Sequence, residues 1–503
     1  MKKDVFKPIL SEVRKPREAG ILMPVFSLDS EYGIGDLGPA AYRFTDALHS
    51  AGQKLWQILP MNSTGYGDSP YQCLSGFAGN PYMISPEILI DKGWLKKNEA
   101  DSYDFGNGKK INYGKLFANR MKMLKIAYSR WKKSSSENEY LNEVKSQNEY
   151  WLTNYALFSA LKAYNGGRSW IQWENTPDNA EELNAEIQFQ IYCQYEFFSQ
   201  WQALRQYANQ NSVRIIGDMP FYVSADSADV WGRRNEFLVS EDGVTQKFLA
   251  GVPADSIADK DRCWGNMIYN WDTMEADGFS WWRERAKLFS RMYDIIRVDH
   301  VIAFVRYYAI SSDSSEGNWY IGPDAENAKV SAILTEEANK TDTEIIAEDL
   351  GSVNDRVRSL IIELNWHCTR VLHYSFNNKY GARNSHITYN HPQLSAVYTG
   401  THDNQTTVDY VRSKTDEQLQ FIMNYLKLTD RRKLPWALIE EAYRSPGIKA
   451  IIPMQDILGL DDNTRNVYQN NNDKSWKWRI NHGQFNEELQ CKLRSMAETC
   501  GRL

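Results

Sequence analysis

The chain has 503 residues, enough for one large elaborated domain or for two or three ordinary ones. Its 42% apolar and 24% charged residues support a packed core and exclude wholesale disorder. Lysine plus arginine (58) against aspartate plus glutamate (64) gives a net charge of −6, without the basic excess that nucleic acid or an anionic membrane calls for, so a neutral ligand fits more easily.

The first twenty residues, MKKDVFKPILSEVRKPREAG, carry two early lysines with no apolar run behind them, so no secretory signal is expected. No stretch approaches the ~18 uninterrupted apolar residues of a membrane span. The six cysteines (Cys73, Cys193, Cys263, Cys368, Cys491, Cys500) are scattered with no CxxC pair. Neither a zinc site nor a disulfide framework follows, and reduced thiols in the cytoplasm are expected. The 17 Trp and 29 Tyr residues suit either stacking on sugar rings or filling cores, and count alone favours cores.

Eight short β-rich runs predict strands. In chain order they are Ile21–Leu28, Lys54–Leu59, Val213–Met219, Asp294–His300, Glu344–Leu350, Arg370–Phe376, Ala396–Asp403 and Ala450–Leu458. Amphipathic segments such as Ala40–Ala51 and Asp355–Leu364 separate most of them. Apolar runs without strict alternation suit strands buried on both faces, so the pattern predicts a (β/α)8 TIM barrel spanning residues 1–503 as a single catalytic unit. Two gaps exceed any simple βα unit. Residues 61–212, after the second strand, predict a helical insertion subdomain. Residues 221–291, after the third, predict another, rich in Trp, Asp and Gly. Both leave the C-terminal ends of strands, where active sites of this fold are built.

Three of the predicted strands end in an acidic residue with a companion: Asp299 beside His300, Glu348 beside Asp349, and Asp403 beside His402. Convergence of Asp299, Glu348 and Asp403 at the barrel mouth would supply a nucleophile, a general acid/base and a transition-state carboxylate for retaining glycoside chemistry. Taken singly, an acid at a strand end is more often a surface charge or a helix cap. A metal-dependent barrel hydrolase is the rival reading of the same pairs, and it ranks lower because the other histidines do not cluster. No phosphate-cradling glycine loop stands in the required strand-to-helix context, so no cofactor and no metal are expected.

Seven ordered segments resemble glycoside hydrolase family 77, the 4-α-glucanotransferases called amylomaltases or disproportionating enzymes, over about Gly20 to Arg479. They are SLDSEYGIGDLG, Trp56–Tyr82 (WQILPMNSTGYGDSPYQCLSGFAGNPY), Gly217–Trp231 (GDMPFYVSADSADVW), GVPADSIADKDRCWGNMIYNWD, IIRVDH, IIAEDLG and VYTGTHDNQT. The resemblance implies transfer of α-1,4-glucan segments between maltooligosaccharides, with Asp299 as nucleophile, Glu348 as acid/base and Asp403 as the third carboxylate. It also implies sugar contacts from Tyr66, Asp218, Asp255, Trp264, Asn266, Arg297 and His402. Arg297, two residues before Asp299, would pair with its charge. Asp218 either binds substrate or braces the mouth, and His300 reads equally as a core residue or a ligand contact. His402 can face the mouth beside Asp403 only from beyond the strand's end, since strand neighbours point oppositely. In the GYGDSPY loop, Asp68 and Ser69 suit a tight turn. An α-glucan hydrolase on the same site, or a non-catalytic glucan-binding barrel, is the alternative.

The chain departs from the family pattern at several places. Val301, Ile302, Ala303 and Phe304 follow the RVDH segment where the family commonly has Phe-Arg-Gly-Phe, and Ala254, Asp255 and Ser256 follow the Gly-Val-Pro turn. Asn365–Thr369 replaces a proline-glycine turn, and Asn466–Lys477 lacks the usual Met-Pro-Gly-Thr. None of these touches the three carboxylates. Each bears on acceptor preference and on the balance of transfer against hydrolysis.

Overall fold

Among the described residues, twelve strands run in chain order as β1 (Glu18–Leu22), β2 (Leu55–Gln57), β3 (Arg214–Met219), β4 (Phe248–Val252), β5 (Arg262–Met267), β6 (Ile295–Val298), β7 (Arg306–Ser311), β8 (Gly317–Ile321), β9 (Glu344–Ala347), β10 (His367–Val371), β11 (Ser395–Tyr398) and β12 (Lys449–Pro453). The structure is a computed structural model that describes residues 16–64, 67–106, 108–134, 139–174, 176–177, 179–240, 245–254, 261–314, 316–376, 381–467 and 474–503. Eight strands close into a parallel barrel in the order β1-β12-β11-β10-β9-β6-β3-β2. These are the eight runs expected from the sequence, in the expected fold.

Apart from Val213–Met219, the predicted runs overshoot at their C-terminal ends. The first expected strand, Ile21–Leu28, stops at Leu22, and Val25–Ser27 is a 3₁₀ turn that is nonetheless fully buried. Burial under the neighbouring chain keeps such exit segments apolar, so they look like strand. The sixth expected strand, Arg370–Phe376, in fact spans His367–Val371, and Leu372–Tyr374 coils into a 3₁₀ turn. His367 and Thr369 are 2% and 1% exposed, so polar letters conceal a buried strand there.

Period-two alternation stacks the barrel interior in layers. Leu22, Leu55, Ile216, Ile295, Ile346, Ala396, Tyr398 and Ile451 form one apolar cluster across the middle. One step below, toward the strand N-termini, Glu18, Arg214, Glu344 and Lys449 form an ionic group. One step above, Gln57, Asp218, Arg297 and Glu348 occupy the interior positions of their strands. The apolar layer therefore floors a polar mouth.

Between β2 and β3 the chain builds long helices, including Tyr113–Lys133, Leu152–Tyr164 and Ala180–Gln210. Asn112 and Asn179 cap two of them by accepting first-turn amide protons. Between β3 and β6 lie β4 and β5, which join β7 and β8 in an antiparallel sheet of order β5-β4-β7-β8. Arg306–Ile321 carries no expected strand, yet this segment supplies half of that sheet. No described helix is long and apolar enough to cross a membrane.

Candidate active site

Register builds the mouth. Val298 on β6 pairs with Ala347 on β9, so Asp299 and Glu348 are the next residues out on adjacent strands. The chain then turns. His300 adopts a positive φ of 48° and points its amide at Glu348 Oε2, 2.8 Å away. Leu350 N donates to the other oxygen at 3.1 Å. These two amides fix the orientation of the Glu348 carboxyl. Burial raises its pKa well above the usual range, the Asp299 charge adds to the rise, Arg297 opposes it and Asp403 adds again.

Asp218 and Arg297 face each other through β3–β6 pairing. Arg297 Nη1 donates to both Asp218 oxygens at 2.7 and 2.9 Å and to Asp299 Oδ1 at 3.0 Å. Asp218 is fully buried and Arg297 is 2% exposed. Burial raises the Asp218 pKa, and the Arg297 charge is the main influence pulling it back. Burial works against the Arg297 charge, but Asp218 and Asp299 more than compensate and hold the guanidinium protonated. The Asp218 contact thus fixes an arginine that reaches the nucleophile candidate, which makes it a brace.

Tyr71 joins this group to the opposite wall. Its hydroxyl donates to Asp218 Oδ2 at 2.8 Å and lies 2.8 Å from His402 Nε2. The two rings are parallel within 9° at 5.4 Å, and Trp476 packs against both. Because β11 ends at Tyr398, His402 and Asp403 lie in a turn beyond it and share one side, with His402 Nε2 3.4 Å from Asp403 Oδ2. Arg465 Nη2 holds the Asp403 carbonyl at 3.0 Å. The Asp403 carboxyl itself stays open, its side chain 60% exposed.

On the far side, Gln72 Nε2 donates to the Trp264 carbonyl and to Asn266 Oδ1, both at 2.7 Å, and Asn266 Nδ2 reaches the Tyr71 carbonyl at 3.3 Å. The Trp264 ring meets His300 edge-on at 4.9 Å. Burial lowers the His300 pKa to about 4, against the pull of Asp299, so its imidazole is neutral at pH 7. Hence Asp299, Glu348, Asp403, Asp218, Arg297, His402, Trp264 and Asn266 gather at one mouth. Tyr66 and Asp255 lie outside the described residues. Sequence reasoning assigned no role to Tyr71 or Gln72. The Ser69-Pro70-Tyr71 turn was visible, but nothing in it announced a contact with His402, 331 positions away.

The chain matches the glycoside hydrolase family 77, described as 4-alpha-glucanotransferase, over residues 23–485. A 4-alpha-glucanotransferase from Clostridium butyricum is 34% identical over 494 residues, covering 95% of this chain and 100% of that protein. Another from Thermus thermophilus is 35% identical over 510 residues, covering 97% and 99%. Among solved structures, the amylomaltase from Streptococcus agalactiae in complex with acarbose aligns with a TM-score of 0.89 at 31% identity, covering 97% of this chain and 99% of that one.

Proposed function

The chain belongs to glycoside hydrolase family 77, the 4-alpha-glucanotransferases, and from this premise we propose how its mouth cuts and rejoins α-1,4-glucans. A maltooligosaccharide lies across the mouth. Asp299 attacks the anomeric carbon while Glu348 gives its proton to the departing 4-oxygen, leaving a glycosyl ester on Asp299. The 4-hydroxyl of a second glucan, or of glucose, then enters. Glu348 removes its proton, and the Asp299 ester bond breaks as the new α-1,4 bond forms. Configuration is retained because the centre is inverted twice.

The observation that carries this reading is the pairing of Val298 with Ala347, which sends Asp299 and Glu348 out of adjacent strands at one level. Electrostatics supports the division of labour. Arg297 lies on Asp299, which suits a carboxylate that must stay charged, whereas the raised pKa of Glu348 suits a proton donor. Asp403 takes the sugar hydroxyls and stabilises the oxocarbenium-like transition state. His402 contacts the same glucose, and Trp264 and Asn266 contact the acceptor side. Tyr66 and Asp255 complete the sugar contacts in this proposal. We place the enzyme in the cytoplasm, a reading that the six unpaired cysteines support.

Maltotriose tests the proposal. The expected products are glucose and a ladder of longer oligosaccharides with no net gain in reducing ends. A steady gain would make the protein a hydrolase. Glucan binding without turnover, unchanged in Asp299→Asn, would make it a binding barrel. Glu348→Gln is expected to abolish turnover while leaving maltooligosaccharide affinity largely intact, since the missing proton is needed only at the transition state.

A further inference from the structure

We infer that Gln72 is a positioning residue for transfer: it latches a bulge in β5, which carries Trp264 and Asn266, to the loop of Tyr71 and so holds the acceptor wall against the mouth. The inference rests on the glucanotransferase reading above and assigns a specificity-determining role within the same site.

The pairing of β5 with β4 breaks where the mouth begins. Cys263 faces Gly251 and Met267 faces Leu249, so Trp264, Gly265 and Asn266 stand opposite Ala250 alone. Such a bulge re-aims side chains at the expense of ladder bonds. Gly265 takes a positive φ of 78°, and a Cβ on it would meet no atom within 4 Å. Past this joint β5 is fixed to the end of β3: Asn266 bridges Ser224, and Met267 N donates to the Val223 carbonyl at 3.2 Å. Before the joint β5 is the edge of the four-stranded sheet, with β4 as its strand neighbour. Trp264 therefore lies on the outer side of a glycine joint, yet its ring is set edge-on against His300.

Gln72 supplies the hold that the ladder lacks. Its amide has two N–H donors, and it gives bonds to two oxygens of the bulge, the Trp264 carbonyl and Asn266 Oδ1, each at 2.7 Å. Asn266 Nδ2 returns a bond to the Tyr71 carbonyl at 3.3 Å. The Tyr71 hydroxyl in turn touches Asp218 and His402. A glutamine bridging two loops is ordinary structure; its place decides the role. The bulge it holds presses on His300, whose amide orients Glu348, so loosening it opens the acceptor wall without removing a carboxylate. Water then competes better with the acceptor for the glycosyl-enzyme. Its oxygen bonds to the anomeric carbon, the Asp299 ester bond breaks, and Glu348 takes the proton.

Gln72→Met keeps the side-chain length and removes both donors. With maltoheptaose as donor and labelled glucose as acceptor, the glucose KM should rise about threefold to tenfold, while kcat falls less. Reducing ends released per transfer should rise with it. A merely structural glutamine would lower kcat or stability and leave that partition alone, so an unchanged partition overturns the latch. In a Trp264→Ala background, Gln72→Met should add little to the glucose KM; independent effects that multiply overturn it too. Should Gln72→Met not fold, Gly265→Ala strains the same joint without a clash. It is expected to shift the partition in the same direction, and an unshifted partition overturns the latch. Should wild type only hydrolyse maltotriose, the parent reading falls. Hydrogen exchange of the backbone amides in residues 261–267 then judges the latch alone: faster exchange in Gln72→Met supports it, and equal exchange overturns it.

Discussion

Glu348 sits among groups that pull its proton affinity in opposite directions. Burial raises it most, Asp299 adds to the rise, Arg297 opposes and Asp403 adds again. The proposed acid works only while protonated, so activity should fall as pH climbs through its pKa. Asp403→Asn removes one negative neighbour, which favours ionised Glu348 and lowers that pKa. The alkaline limb of kcat/KM for residual maltotriose turnover should therefore move to lower pH. An unmoved limb would show that Asp403 acts on substrate but not on Glu348 through charge. A second expectation concerns Arg297, whose one nitrogen serves three carboxylate oxygens. Arg297→Leu strands Asp218 as a fully buried, uncompensated acid and should cost about 3–5 kcal/mol of stability. Adding Asp218→Leu should recover much of that loss, since an apolar pair of similar volume leaves no charge to solvate. Denaturant midpoints of the two single variants and the double variant measure the coupling. Additive losses would mean that the pair does not act as a unit.

At the level of strands, β3 shows how packing outside the barrel controls what happens inside it. Gly217 precedes Asp218 and points outward, and a Cβ there would lie 2.3 Å from the ring of Tyr293. Tyr293 is itself buried, so it has no free space to take up. Gly217→Ala should cost about 1–3 kcal/mol in a denaturant titration. It should also lower kcat more than it raises KM, because the displaced strand carries the brace for Arg297; unchanged kcat would disconnect the brace from catalysis. This dependence marks the limit of what the sequence discloses. Asp299, Glu348 and Asp403 were legible because each closes an apolar run, and the barrel was legible because eight such runs recur. For Asp218 the choice between binding substrate and bracing the mouth stayed open, since Asp218 and Arg297 stand 79 positions apart and meet only once β3 and β6 are neighbours. Likewise β7 and β8 escaped notice. β8 pairs with β7 alone, and the other partner of β7, β4, lies far upstream in the insertion, where antiparallel pairing at such range leaves no local signature. The shared side of His402 and Asp403 depended on where β11 stops, and strand ends are the least legible feature of a buried run.

Across the whole molecule, charge is segregated along the barrel axis, with one ionic group at the mouth, an apolar layer in the middle and a second ionic group at the base. In the basal group Glu344 receives Arg214 Nη1 at 2.5 Å, His367 Nε2 at 2.8 Å and Lys449 Nζ at 2.9 Å, while Glu18 shares the same arginine and lysine. These residues come from β1, β3, β9, β10 and β12, so the group ties both ends of the chain's barrel together. Burial alone would raise the Glu344 pKa, but the His367 bond and the Lys449 and Arg214 charges outweigh it and hold the pKa far below the usual 4.5. The folded protein therefore binds this proton less readily than the unfolded chain does. Stability from Glu344 is complete above pH ~4.5 and drains away as pH falls toward the folded value. Glu344→Gln should cost about 1–3 kcal/mol at pH 7, because it leaves Arg214 and Lys449 short of a counter-charge in a partly buried site. Thermal unfolding of both proteins from pH 7 to pH 3 reads the effect. The gap in Tm should hold down to about pH 5 and then narrow, as the unfolded wild-type chain takes up a proton that folded Glu344 does not. A gap of constant width down to pH 3 would assign the loss to packing. It would also mean that the basal ion group contributes nothing through its charge, leaving the apolar layer above it to hold the barrel closed.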